Sequence, residues 1–317
     1  MLIPQFGCNR GISKLILKQM ESMDKKTTRV LLDHKTYNVA NVCPGGMGRV
    51  WLLVQEYPGS ADPIYRHHVA VKTFDFVSDK QLVEQELNAW ISLQHRFVLP
   101  LLKIGRLNYQ LAAIMPQMPA TLDDLLEHGR VFSEQETSLI IFEVALALEY
   151  AWKSAGILHL DIKPSNILVE ESTNLNVKVS DWGISRFSRN LESRTPSPPQ
   201  GAANPNSKLT AYSAGTPLFM SPERFSGSWQ LSPLVDIYSL GLMAVLLNTG
   251  VMPFRFGQVD PIKEILTGGV YENARALLQD RTSQFQKLCL KCIDPNAIAR
   301  TANYYTLQRQ AESLIRG

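Results

Sequence analysis

The sequence predicts an α+β fold in two unequal parts, a small β-rich front followed by a larger helical back. Three observations predict it. Short β-rich runs follow one another between Lys35 and Phe74. Long stretches of helical periodicity take over after about Met118. One Ser-, Pro-, Asn- and Gly-rich segment, SRNLESRTPSPPQGAANPNSK, then interrupts the helical part as a loop that cannot bury a core.

The 317 residues are 45% hydrophobic and 19% charged, enough apolar material for a substantial core and not the composition of a disordered chain. The formal net charge is +3 and contains no long Lys/Arg block, so nucleic acid is not an implied partner. Cys8, Cys43, Cys289 and Cys292 are too few and too scattered for a disulfide scaffold, which points to a reducing, cytoplasmic setting. Cys289 and Cys292 form a lone CxxC with no second pair or histidine cluster, and read as two small apolar residues on a helix. The N-terminus MLIPQFGCNRGISK has no basic region followed by a long apolar core, so no secretory signal is expected. The most apolar stretch, Leu240 to Leu247, is too short for a membrane span.

Residues 1–33 mix charged and apolar side chains without a clear period and read as a leader segment, partly helical. KTYNVANV, RVWLLVQEY and HHVAVKTF then read as three strands of an antiparallel meander, with PGSADP as turn material between the last two. Ser78 and Gln81 are spaced as a capping box opening a helix that carries Glu86 and Trp90 on one face. LLKIGRL and QLAAIMPQM follow as strands, and Ser133 and Glu136 form a second capping box opening a long helix that stops at Gly156.

Several segments carry chemistry. CPGGMGRV, Cys43 to Val50, places glycines where backbone amides can approach phosphate oxygens, although a Gly-rich hairpin turn has an equally good structural reading. Val69-Ala70-Val71-Lys72 ends an apolar run on a lysine, and an ion pair with Glu86 would aim its ammonium at α- and β-phosphates. HLDIKPSNILV, His159 to Val169, sets three polar groups in one short segment. Asp161 can accept the proton of an attacking hydroxyl, Lys163 can neutralise charge on a moving phosphoryl group, and Asn166 can hold a metal ion through its carbonyl. KVSDWG delivers Asp181, a hard oxygen ligand suited to Mg²⁺, beside Gly183. GTPLFMSPE, Gly215 to Glu223, comes after the loop.

In this order the motifs resemble those of the eukaryotic-type serine/threonine protein kinases, from about Lys35 to the end of the chain. VDIYSLGLMAVLLNTGVMPF resembles the family's buried central helix, with Asp236 at its start. CIDPNAIARTA resembles its closing segment, whose arginine, here Arg300, pairs with Glu223. The resemblance implies a bilobal kinase domain over 34–317, with an N-lobe over 34–115, a hinge over 116–118, a C-lobe over 119–317 and an activation segment over 181–223. It implies ATP in the cleft, contacted by Val42, Cys43, Gly45, Gly46, Gly48 and Val50. Ala70 and Lys72 would join them, with Met115 as gatekeeper and Met118 in the hinge. Asp161, Lys163, Lys72 and Glu86 would be catalytic, and Asn166 and Asp181 would hold Mg²⁺. Thr216 after Gly215, together with Lys163, matches the serine/threonine branch, so the acceptor implied is a protein Ser or Thr hydroxyl.

The chain departs from the pattern at three places. Cys43 and Pro44 stand at the start of the Gly-rich loop, Leu160 replaces the arginine that in the family binds a phosphorylated activation loop, and Trp182 replaces a phenylalanine. Thr195-Pro196 and Ser197-Pro198 resemble proline-directed phosphorylation sites. A pseudokinase serving as a nucleotide-binding scaffold is the alternative to an active enzyme, motivated by Cys43, Pro44 and Leu160. A small-molecule kinase of related fold is a third, but G-T-P…S-P-E is not expected there.

Overall fold

The computed structural model describes residues 29–45, 48–56, 66–74, 80–170, 175–182, 186–187, 217–225, 232–278 and 283–316. The chain divides into two compact units, one comprising Met1–Ser92, Leu99–Pro119 and Glu170–Asn174, the other Leu93–Val98, Ala120–Val169 and Leu175–Gly317.

In the first unit β1 (Arg29–Leu32), β2 (Lys35–Gly45), β3 (Gly48–Glu56) and β4 (Arg66–Thr73) run in antiparallel sequence. After helix α1 (Lys80–Ser92) come β5 (Lys103–Leu107) and β6 (Gln110–Pro116), and the strand order β1-β2-β3-β4-β6-β5 closes on itself as a barrel. The expected meander is β2 to β4. Inward-facing Val30, Leu32, Leu53, Val71, Leu107, Ala112 and Ile114 form its core, as the period-two alternation of strand side chains requires.

The barrel takes in residues just before the expected boundary at 33. Arg29–Leu32, read as the end of a leader, is a strand whose Val30 and Leu32 are 5% and 3% exposed. It closes the barrel against β5: Leu32 pairs with Leu107, Asp33 N–H donates to the Arg106 carbonyl at 3.1 Å, and Asn108 N–H donates to the Leu31 carbonyl at 2.9 Å. The Asp33 carboxylate receives the Arg106 N–H at 2.8 Å and Lys103 Nζ at 2.5 Å. Burial raises its pKa, but Lys103 and the Arg106 amide outweigh that and hold the carboxyl below its ordinary range. Gly105 makes this approach possible, since a Cβ there would stand 2.7 Å from Asp33 Oδ2.

α1 buries Val83, Leu87 and Trp90, spaced four and three apart on one face. The Trp90 indole N–H donates to the Leu99 carbonyl at 2.9 Å. Ser78, the expected cap of this helix, lies outside the described residues.

The second unit contains β7 (Ala120–Thr121), α2 (Leu122–Glu127) and the long α3 (Glu134–Ala155). α3 begins in the capping box read from the sequence, with Ser133 and Glu136 reciprocally bonded, and ends at Gly156 with φ of 66°. That left-handed backbone is what glycine provides most cheaply at a helix end. β8 (Ile157–Leu158), a 3₁₀ turn (Pro164–Asn166), β9 (Ile167–Glu170) and β10 (Asn176–Val179) follow.

α4 (Leu234–Thr249) is buried over nearly all its length, Val235 through Val245 without a break, as a helix apolar on every face must be. Gly241 lets α7 (Gln284–Cys292) approach it, because a Cβ at Gly241 would lie 2.4 Å from Cys292 Cβ. The CxxC is therefore core: Cys289 and Cys292 are 1% and 2% exposed, and burial pushes the Cys292 thiol up to about 12. α5 (Pro261–Thr267) and α6 (Gly269–Leu277) lie between α4 and α7 in the chain, and α8 (Tyr304–Arg316) packs on α3. Gln308 joins α8 to α3, its Nε2 donating to the Ala145 carbonyl at 3.0 Å and to Glu149 at 2.9 Å. Among the described residues no helix is long and apolar enough to cross a membrane.

Candidate active site

In the second unit the segment HLDIKPSN leaves β8, makes the 3₁₀ turn and enters β9. Its geometry starts from Asp236, at the first turn of α4 and fully buried. One carboxylate oxygen accepts the Leu160 N–H at 2.8 Å, and the other accepts the His159 N–H at 2.9 Å and the Tyr304 hydroxyl at 2.8 Å. A buried carboxylate is tolerable only with such partners. The sequence marked Asp236 as a helix start; the donors it serves come from two other segments.

Leu160 has φ of 67° and Asp161 follows it. A leucine in the left-handed region costs roughly 1–2 kcal/mol, so the surroundings must hold it there. They do so through Asp236 on the N–H side, through Arg224 Nη1 donating to the Leu160 carbonyl at 2.6 Å, and through burial of the side chain to 3% exposure.

Asp161 is 5% exposed, and its Oδ2 meets Lys163 Nζ at 2.8 Å and Asn166 Nδ2 at 2.9 Å. Asn166 Nδ2 also donates to the Asp161 main-chain carbonyl at 2.7 Å. The two acceptors around the Asn166 amide fix its orientation, because the flipped amide would set oxygen against oxygen. The Asp161 N–H points at His159 Nδ1 at 3.2 Å, so Nδ1 accepts and Nε2 carries the proton that it donates to the Ser180 carbonyl at 2.8 Å.

Ser180 ties the second acidic residue to this segment. Its N–H and hydroxyl both donate to the Asn166 carbonyl, at 2.9 and 3.0 Å, which places Asp181 next in the chain beyond a residue bonded to Asn166. Asp181 has φ of 61°, a conformation that aspartate adopts more readily than most residues. Trp182 is fully buried, its ring edge-on to His159 with centroids 4.8 Å apart and its indole N–H donating to the Val179 carbonyl at 3.2 Å. Asn166 and Asp181 each carry a hard side-chain oxygen of the kind Mg²⁺ takes. Two such residues fit that ion, which binds through one or two protein oxygens and fills its remaining positions with water and phosphate.

Arg300 and Glu223 form a bidentate pair, Nη1 to Oε1 at 2.6 Å and Nη2 to Oε2 at 2.9 Å. Arg300 Nε also donates to the Asp294 carbonyl at 2.7 Å, and the guanidinium lies 4.9 Å from the Tyr238 ring centroid.

The first unit holds the other predicted residues. The β2–β3 hairpin pairs Val42 with Trp51, Cys43 with Val50, and Gly45 with Gly48. Val42 and Cys43 are exposed, and Asn41 Nδ2 lies 3.7 Å from Cys43 Sγ. Lys72, on β4, sits between Val50 and Ala113 in the sheet, is 6% exposed, and has Nζ 5.6 Å from the Phe74 ring centroid. Ala70 pairs with Met115, which is 6% exposed, and Met118 is half-buried. Gly46, Thr195, Ser197 and Thr216 lie outside the described residues, as does the side chain of Glu86, and with it the expected Lys72–Glu86 pair.

Sequence reasoning missed Arg224, Ser180 and Tyr304. Arg224 directly follows S-P-E, and Ser180 directly precedes D-W-G, so proximity to motifs was the available signal.

The family model described as "Protein kinase domain" matches residues 45–310. Among known proteins the chain is 28% identical over 247 residues to human (Homo sapiens) NUAK family SNF1-like kinase 1, covering 74% of this chain and 33% of that protein. It is 25% identical over 228 residues to Sucrose non-fermenting protein kinase 1 of Fusarium virguliforme, covering 72% and 30%. It is 27% identical over 197 residues to Myosin light chain kinase 2, skeletal/cardiac muscle, of Oryctolagus cuniculus, covering 61% and 29%. The chain thus spans about a third of the length of the curated relatives it matches.

Proposed function

The chain belongs to the protein kinase family, and from that premise we propose that it transfers the γ-phosphate of Mg-ATP to serine or threonine hydroxyls of proteins. The observation that carries this reading is the arrangement around Asp161, whose carboxylate is held by Lys163 and Asn166. Asp161 takes the proton of the attacking hydroxyl. Lys163, at 2.8 Å from Asp161 Oδ2, offsets charge on the phosphoryl group in transit. Asn166 Oδ1 and Asp181 hold the Mg²⁺, which when bound neutralises charge on the phosphates. Lys72 orients the α- and β-phosphates with Glu86, and the hairpin glycines Gly45, Gly46 and Gly48 admit backbone amides to them. Val42, Cys43, Val50, Ala70, Met115 and Met118 contact the nucleotide.

The retained set of polar and charged residues supports an enzyme over a scaffold: Lys72, Glu86, Asp161, Asn166 and Asp181 are all present. The similarity to a protein named as a myosin light chain kinase supports a protein acceptor. Among the described residues Cys289 and Cys292 are buried and in no disulfide, which supports a reducing, cytoplasmic setting.

The test is transfer of label from ATP in the presence of Mg²⁺, with the protein itself and a generic basic protein as acceptors and Asp161→Asn as control. Label on serine or threonine that disappears in the control is the expected result. Nucleotide binding without transfer, across acceptors and candidate activators, would replace the enzyme with the scaffold.

A further inference from the structure

We propose that Arg224 is a positioning residue for phosphoryl transfer: by holding the Leu160 carbonyl, its guanidinium fixes the backbone turn that aims Asp161. The inference rests on the reading of Asp161 as the base.

The peptide plane between Leu160 and Asp161 is the last rigid element before the Asp161 Cα, so its orientation decides where the carboxylate points. Its N–H reaches His159 Nδ1 at 3.2 Å, a long contact, while its carbonyl receives Arg224 Nη1 at 2.6 Å. A charge-assisted bond of that length is the stronger of the two. The preceding residue is in a left-handed conformation that leucine does not favour, and Asp236 restrains only the N–H groups of His159 and Leu160. Without Arg224 the carbonyl end of the plane loses its ionic restraint, and rotation of the plane relieves the unfavourable φ. Asp161 would swing with it.

Arg224 is itself well placed to act as a fixed point. Its N–H donates to the Ser221 carbonyl at 3.0 Å, and its neighbour Glu223 is clamped bidentately by Arg300. The end of the predicted activation segment is thereby joined to the backbone beside the base. Leu160 offers no charge to that segment, its side chain being buried to 3% exposure, and the guanidinium instead comes from the residue directly after the segment and reads the main chain. An interaction with a carbonyl does not depend on the identity of residue 160.

The experiment compares the wild type with Arg224→Ala and Arg224→Lys. It measures kcat, KM for ATP, direct ATP affinity, Tm, and amide hydrogen exchange in the peptide covering residues 157–166. Arg224→Ala is expected to lower kcat about 10- to 100-fold, the scale of a catalytic group displaced by about 1 Å. ATP affinity and KM should stay within about twofold, since Arg224 bonds to the backbone beside the base, and Arg224→Lys should recover part of kcat by supplying one donor. Exchange at Leu160 and Asp161 should rise in Arg224→Ala. Unchanged kcat and unchanged exchange would overturn the proposal. So would a parallel fall in kcat, ATP affinity and Tm, which would mark a merely structural arginine. A wild type that binds ATP and transfers nothing would instead remove the kinase reading. In that case the exchange measurement still decides whether Arg224 holds the segment: raised exchange sustains that role, and unaltered exchange ends it.

Discussion

Arg300 and Glu223 are joined by two parallel hydrogen bonds of 2.6 and 2.9 Å, the arginine side chain having no solvent exposure and the glutamate side chain 22%. Removing Arg300 leaves the partly buried Glu223 carboxylate without its partner and takes a donor from the Asp294 and Leu234 carbonyls. Arg300→Ala is therefore expected to cost about 3–5 kcal/mol of stability. Arg300→Lys should recover little of it, because an ammonium cannot reproduce the planar fork or the stacking on Tyr238. Urea denaturation of the three proteins checks this.

Asp161→Asn removes the proton acceptor and leaves the proposed phosphate and metal contacts in place. Phosphoryl transfer should fall by at least about 100-fold, the low end of what a positioned general base supplies, with ATP binding retained. Lys72→Met should weaken phosphate alignment instead, lowering transfer with Asp161 intact. Single-turnover kinetics beside equilibrium ATP titration separates the two effects.

Gly241→Ala puts a methyl carbon 2.4 Å from Cys292 Cβ, so α4 and α7 must move apart. Overpacking of this kind costs about 1–3 kcal/mol. Cys292→Ala should not rescue it, since the clashing atom is the Cβ that alanine keeps. Thermal melts of the single and double variants give the answer.

Glu264 is 1% exposed and accepts Arg255 N–H and Nε, each at 2.9 Å, and Asn273 Nδ2 at 3.0 Å. Burial raises its pKa, but the Arg255 bonds outweigh it and hold the carboxyl below the ordinary value of 4.5. The folded pKa lies below the unfolded one, so the unfolded state binds the proton first. This contribution is present in full above the ordinary glutamate range and is lost as pH falls through the folded pKa. Glu264→Gln should lower stability at neutral pH and flatten the loss of stability below about pH 4.5, measured by urea titration across that range. An unchanged acid slope would remove Glu264 from the account.

Much of the fold was legible because local chemistry expressed it. The Ser133–Glu136 box and Gly156 bound α3 as their residue types require, the alternating runs became β2, β3 and β4, and the apolar run around Leu240 became a helix buried on every face. The order and residue types of the predicted site were equally plain in HLDIKPSN and DWG, since a catalytic segment concentrates polar groups between apolar strands.

What the chain alone determined is the identity of each element and the candidates for chemistry, because helix caps, strand alternation and short motifs act over a few residues. Only the tertiary structure decided that Arg29–Leu32 closes a barrel, that Asp236 serves the backbone of His159 and Leu160 across 76 or more residues, and that Arg224 reaches the Leu160 carbonyl across 64. These are contacts between one residue's side chain and another's backbone, or between distant strands. Main-chain N–H and carbonyl groups are the same at every position, so no residue type in the sequence announces which of them a distant side chain will find.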